Sequence, residues 1–108
     1  MSTKAPECWA TDASAKALRI EVSTEKSLLL KFDQFLYAEF EKDEHEQTLR
    51  LFFATHEVVI HGHTLRRIET ALQRMELSYL ATLPHGHRSV LGDGHPSILK
   101  IAVSEKGS

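Results

Sequence analysis

Histidine is the residue type whose spacing in this chain points most directly to chemistry. Two pairs, His61 with His63 and His85 with His87, are each separated by a single glycine. Residues two positions apart in an extended segment project to the same side, so each pair could present two imidazoles to one ion. Because neutral imidazole is the commonest metal ligand among side chains, these four histidines predict a divalent-metal site.

The same histidines also have an ordinary interpretation as turn and surface residues. No spacing of the Cys-x-x-Cys kind accompanies them, and such paired spacings are what make a metal motif specific. A catalytic metal would further need an open coordination position and a nearby base, for which Glu57 and Asp93 are the candidates. Metal binding, with or without metal-dependent catalysis, is therefore the second of two hypotheses, and a divalent metal is the only cofactor considered.

Other reactive residue types lack the surroundings that catalysis needs. Ser89, Ser97 and Ser104 stand outside any Gly-x-Ser-x-Gly sequence, which forms the turn that exposes a nucleophilic serine. Cys8 is the only cysteine, so it cannot form a disulfide within the chain, and its N-terminal position disfavours a precisely held nucleophile. No catalytic residue is predicted, and a non-enzymatic protein is favoured.

A row of arginines makes nucleic acid the third partner class. Arg66, Arg67 and Arg74 share the polar side of a predicted helix with Glu69 and Glu76, and Arg66 can pair with Glu69 one turn away. The formal net charge is −2, whereas nucleic-acid binders are typically basic. Since no aromatic residue is interleaved for base stacking either, nucleic-acid binding is not expected.

Length and composition predict one domain in a reducing compartment. The chain has 108 residues, which is the usual size of a single domain. Residues 1–16 show no hydrophobic period and predict a flexible N-terminal arm, and residues 17–108 predict a single α+β domain. The start lacks the apolar core of a signal peptide, and apolar runs elsewhere are short. We expect a cytoplasmic protein with no membrane-spanning segment, which fits a chain with a single cysteine.

Period-two alternation predicts about four strands in the first part of the domain. Alternation is clearest over residues 18–22, 28–40 and 48–55, and a short apolar run covers 58–60. Segment 41–47 has no apolar residue, so it predicts a solvated hairpin loop. The short turns between these strands predict an antiparallel meander.

Helical spacing replaces alternation in the next segment. From Leu65, apolar residues recur at i, i+3, i+7 and i+10, which predicts one amphipathic helix over about residues 64–77. Two further strands are predicted at residues 79–83 and 98–103. The expected fold class is α+β.

A single helix can cover one face of a sheet, which leaves the other face to be explained. Four apolar residues have the opposite parity from the core-facing set: Leu29, Phe35, Tyr37 and Phe52. Either the sheet curls into a partly closed barrel and buries them, or it packs against a copy of itself. We favour a homo-oligomer, because exposed apolar sheet surface usually marks an interface. The first functional hypothesis is thus a non-enzymatic, self-associating module that binds or regulates a protein partner.

Overall fold

The computed structural model describes residues 8–82 and 95–106. Within these ranges the chain forms eight strands, one α-helix and one 3-10 helix, and the strands make two four-stranded sheets. The predicted α+β class is confirmed. The elements are β1 (Trp9–Thr11), β2 (Ala17–Ser23), β3 (Lys26–Lys31), η1 (Phe32–Gln34), β4 (Phe35–Lys42), β5 (Gln47–Phe53), β6 (His56–His63), α1 (Arg66–Gln73), β7 (Leu77–Leu80) and β8 (Ser97–Glu105).

The strands are divided between two sheets and do not form the single meander that the sequence predicts. The first sheet has the order β1-β7-β2-β3, and the second has the order β4-β5-β6-β8. The second sheet is antiparallel throughout, whereas β7 runs parallel to β2. The predicted meander is wrong because β3 and β4 lie in different sheets, and six described strands precede α1 instead of about four. The partly closed barrel is also wrong, since neither sheet closes on itself among the described residues.

The chain leaves the first sheet at η1. The Phe32 side chain is buried there, and its ring centroid lies 6.3 Å from that of Phe35 and 6.5 Å from that of Phe53. Burying this aromatic cluster fixes the corner between the sheets, and the tight 3-10 turn ends the extended geometry of β3. Residues 28–40 therefore form two strands in two sheets, although their parity alone predicts one bent strand or two collinear ones.

Strand β4 contains a β-bulge at Leu36. The pairing passes from Phe35 opposite Phe53 to Tyr37 opposite Phe52, so Leu36 has no partner on β5. One extra residue reverses the side to which the preceding residues point. Phe35 consequently packs against the core and Leu36 is 59% exposed, which is the reverse of the arrangement that parity predicts.

Helix α1 is shorter at both ends than the predicted helix. Thr64 and Met75 have positive φ angles of 58° and 56°, and this left-handed conformation cannot continue a right-handed helix. At the C-terminal end, the Met75 N–H donates to the Leu72 carbonyl and the Glu76 N–H donates to the Ala71 carbonyl. These two bonds are the Schellman pattern of a helix end. No helix among the described residues is long and apolar enough to cross a membrane.

The core lies between the two sheets and α1. Ile68, Ala71 and Leu72 are the buried residues of α1, which confirms that the predicted helix is amphipathic. They join one cluster with buried residues of both sheets, among them Leu18, Ile20, Leu49, Leu51, Val58, Ile60 and Leu80. No polar or charged residue of the described ranges is buried, so the side chains packed in the core are apolar.

The described part of the predicted N-terminal arm contains a strand. Trp9–Thr11 pairs with β7, and the Ala81 N–H donates to the Cys8 carbonyl at 2.8 Å. The Cys8 side chain is 1% exposed, with its Sγ 3.4 Å from the Pro96 carbonyl oxygen. Residues 8–11 are therefore part of the folded domain, although the sequence assigns them to the arm; residues 1–7 lie outside the described ranges.

Candidate functional site

The second sheet has one side against the core and one side turned away from it, which we call the outer face. Alternate residues of β5 are fully buried, so the intervening ones point outward, and their partners on neighbouring strands point the same way. The outer face consists of Tyr37, Glu39, Glu41, Thr48, Arg50, Phe52, Glu57, Val59, His61, Lys100, Ala102 and Ser104. Since α1 packs on the inner side, no helix of the described ranges covers this face.

Two stacked aromatic rings form an apolar patch on the β4 side of the outer face. Tyr37 and Phe52 are cross-strand partners, with ring centroids 4.4 Å apart and an interplanar angle of 17°. Tyr37 is 50% exposed, and the neighbouring bulge residue Leu36 is also solvent-accessible. The Lys106 ammonium lies 5.3 Å from the Phe52 ring centroid, within cation–π range. The pairing on adjacent strands places the two rings in contact, so this surface is partly apolar.

The structure brings together only two of the four apolar residues that the sequence singles out. Tyr37 and Phe52 are in contact on the outer face. Phe35 points to the other side, where its ring centroid lies 5.3 Å from that of Phe53. Leu29 is 63% exposed but belongs to β3, the edge strand of the other sheet. Leu36 is the residue that sequence reasoning missed, because alternation gives no signal of a bulge.

Arg50 lies beside the aromatic pair in a constrained position. It is the cross-strand partner of Glu39, yet its Nε is buried and has no hydrogen-bond partner. A buried N–H without an acceptor is energetically unfavourable. Among the described residues, no ion pair joins Arg50 to Glu39, which leaves the Glu39 carboxylate solvated.

His61 and His63 point outward from β6, as the alternation of that strand predicts. The Nδ1 of His61 lies 3.1 Å from Thr48 Oγ1 and 3.2 Å from Glu46 Oε1. A carboxylate can only accept, so the neutral Nδ1–H tautomer of His61 donates to Glu46 and keeps its Nε2 lone pair available. His63 is exposed. No group of three or more metal-ligating side chains occurs among the described residues, and the predicted ligands His85 and His87 lie outside them.

Gly62, between the two histidines, is required by the approach of β8. A Cβ placed on Gly62 would lie 1.9 Å from the Ser97 carbonyl oxygen. The register of β6 and β8 shifts at this point, from His61 opposite Lys100 to Gly62 opposite Ile98. The glycine of this His-x-His pair thus has a packing function that is independent of any metal.

The loop between β4 and β5 positions Glu46 beside His61. Asp43 Oδ1 accepts hydrogen bonds from the backbone N–H groups of His45 and Glu46, each at 2.8 Å. These bonds, chiefly the one from Glu46, lower the pKa of the Asp43 carboxyl below its ordinary value of 3.8. The ionised Asp43 therefore closes the turn and holds the chain at Glu46 in register with β6.

Comparisons with known proteins give no functional assignment: no family model, curated protein or solved structure matches the chain. The geometry therefore stands alone. It defines a two-sheet α+β domain with an outer face on which an aromatic pair is flanked by acidic side chains on β4 and basic side chains on and after β8.

Proposed function

We propose that this protein is a non-enzymatic protein-binding module that self-associates through the outer face of its second sheet. The observation that carries the proposal is the solvent-accessible stack of Tyr37 on Phe52, next to the exposed bulge residue Leu36. Tyrosine and phenylalanine are enriched in protein interfaces, where they bury much area with little loss of side-chain entropy. Since neighbouring strands already fix both rings, binding would lose little further freedom.

The distribution of charge favours one arrangement of two copies. Glu39 and Glu41 lie on β4, at one edge of the sheet, and Lys100 lies on β8, at the opposite edge. A twofold axis parallel to the strands would place β4 of one copy over β8 of the other. The acidic side of each copy would then face the basic side of its partner, and the Tyr37–Phe52 pair of each copy would lie over β8 and β6 of the other.

Sedimentation velocity over a concentration series tests this proposal. We expect the wild-type chain to form a dimer, and the double variant Tyr37→Thr/Phe52→Thr to be displaced toward monomer, because threonine keeps the strand but removes the apolar surface. Leu29→Thr is the matched control, since Leu29 is 63% exposed on the other sheet. A wild-type chain that stays monomeric at about 100 μM, roughly the weak end of specific interfaces, overturns the proposal. Equal dissociation of Leu29→Thr would assign the interface to the other sheet.

A second candidate function, divalent-metal binding, is favoured by one contact. The carboxylate of Glu46 faces His61 Nδ1, and a carboxylate in this position orients an imidazole so that Nε2 can bind a metal. Zinc titration by calorimetry is the test, and we expect uptake by the wild type that is lost in His61→Gln/His63→Gln. His56→Gln, in the same strand, is the control. No uptake at micromolar zinc would rule out this function.

A further inference from the structure

A groove lies along the inner side of β4, between that strand and α1. It has a volume of about 400 Å³ and is lined by Phe35, Ala38, Arg66, Glu69, Leu72 and Gln73. Ala38 lies between the larger Phe35 and Phe40 in the inward row of β4, and its small side chain leaves the hollow open. The groove thus has an apolar floor and a polar rim.

The two charged residues at the rim of this groove, Arg66 and Glu69, form an ion pair with each other. Arg66 Nη1 lies 3.2 Å from Glu69 Oε1, and the Arg66 guanidinium carbon lies 4.0 Å from the Phe40 ring centroid. The arginine therefore closes one end of the groove and is paired within the chain. An apolar side chain is the group that fits the floor without leaving a charge unpaired.

Strand β4 is also an open edge. It pairs with β5 on one side, and no strand of the described ranges pairs with it on the other. Its unpaired backbone N–H and C=O groups can accept an additional strand. A strand added there would alternate between the groove on the inner side and Glu39 and Glu41 on the outer side.

The acidic side chains of β4 disfavour pairing with a second β4. An antiparallel pair centred on Glu39 places two Glu39 carboxylates opposite each other, and one centred on Phe40 places Glu39 opposite Glu41. Like charges directly opposite are destabilising. A pair centred on Ala38 would extend into the Leu36 bulge, which interrupts the hydrogen-bond ladder.

We propose that the free edge of β4 binds an extended segment of a partner protein by strand addition, with basic side chains facing Glu39 and Glu41 and an apolar side chain in the groove beside Ala38. Glu41 should attract a cation more strongly than Glu39 does, because its cross-strand partner on β5 is the neutral Thr48, whereas that of Glu39 is the cationic Arg50. Neither glutamate forms an ion pair within the described part of the chain. This site shares Glu39 and Glu41 with the outer face, but its backbone edge and its groove beside Ala38 lie outside that face, so peptide binding does not require self-association.

Fluorescence anisotropy with three labelled peptides tests the proposed strand addition. The first peptide alternates lysine with valine over eight residues, and the second has glutamate in place of lysine. The third is the lysine peptide with a central proline, which lacks one of the backbone N–H groups that would hydrogen-bond to β4. We expect the lysine peptide to bind about tenfold more tightly than the glutamate peptide at low salt, with a smaller ratio at high salt. The proline peptide should lose binding. Equal binding of the lysine and glutamate peptides, or no binding of either, overturns the proposal.

Variants of the protein locate the binding site. Ala38→Leu fills the groove and should weaken binding of the lysine peptide about tenfold, whereas Ala102→Leu, an exposed alanine of the other edge strand, should not change it. Glu39→Lys/Glu41→Lys changes only exposed side chains and should reverse the preference between the two charged peptides. Unchanged preference in that double variant contradicts the proposal even if Ala38→Leu fails to fold. The variant Tyr37→Thr/Phe52→Thr should still bind the lysine peptide. If Ala38→Leu abolishes self-association and leaves peptide binding unchanged, the strand that occupies the β4 edge is a second copy of this chain, and the proposal is wrong.

Discussion

Replacing Gly62 with alanine is the most stringent test of the packing of β8 on β6. The new Cβ would lie 1.9 Å from the Ser97 carbonyl oxygen, against about 3.3 Å for a normal carbon–oxygen contact. The contacting atom belongs to the backbone, so no side-chain rotation can relieve the overlap. Strand β8 must therefore move by about 1 Å or more, and the ladder between Gly62 and Ile98 must loosen.

The loss of stability in Gly62→Ala has two sources, the steric overlap and the weakened hydrogen bonds between β6 and β8. Overpacking in a filled site costs about 1–3 kcal/mol, and weakening one or two ladder hydrogen bonds adds about 1 kcal/mol each. We expect the free energy of unfolding to fall by about 2–5 kcal/mol, out of a total of about 5–15 kcal/mol for a domain of this size. The melting temperature should then fall by roughly 10–25 °C.

Urea denaturation and thermal melting of Gly62→Ala against the wild type give both quantities. His63→Ala is the control, since it introduces the same side chain at the next, exposed position of β6 and should change stability by less than about 0.5 kcal/mol. A Gly62→Ala protein that melts within about 2 °C of the wild type would refute the described register of β6 and β8.

Two further predictions concern Asp43 and Met75. Because folding lowers the pKa of Asp43, this carboxylate stabilises the fold above the ordinary value of 3.8, and the stabilisation is lost as the pH falls through the lower folded value. The NMR chemical shifts of the His45 and Glu46 amides should change with pH in that range, and the change should disappear in Asp43→Asn. Met75→Gly should raise the free energy of unfolding by about 0.5–1 kcal/mol, because glycine adopts the φ of 56° without steric cost. Met75→Ala keeps the unfavourable conformation, so a similar gain in that variant would contradict the explanation.

The elements that local patterns specify were predictable from the sequence. The alternation of Leu49, Leu51 and Phe53 predicts β5, and all three residues are buried. Helical spacing likewise identified Ile68 and Leu72 as the buried side of α1. These two predictions were confirmed because each depends only on which face of a single element packs against the core.

The features that depend on non-local pairing were not predictable in this way. The bulge at Leu36 reverses which residues of β4 face the core, and the turn at Phe32 moves the chain to another sheet. An alternating pattern of apolar residues indicates neither feature. The pairing of Trp9 with Leu80 joins residues far apart in sequence, so no local period marks β1. The candidate site was therefore found only in part, with Tyr37 and Phe52 predicted and the bulge missed.

The position of β7 has a consequence for the order in which the chain can fold. Strand β7 lies between β1 and β2, although it follows both by more than fifty residues of sequence. During synthesis the β2–β3 hairpin can form early, but its inner edge stays open until Leu77–Leu80 has emerged from the ribosome. A nascent chain arrested before that point exposes an unpaired hairpin, and a late-arriving strand of four residues converts it into a finished sheet.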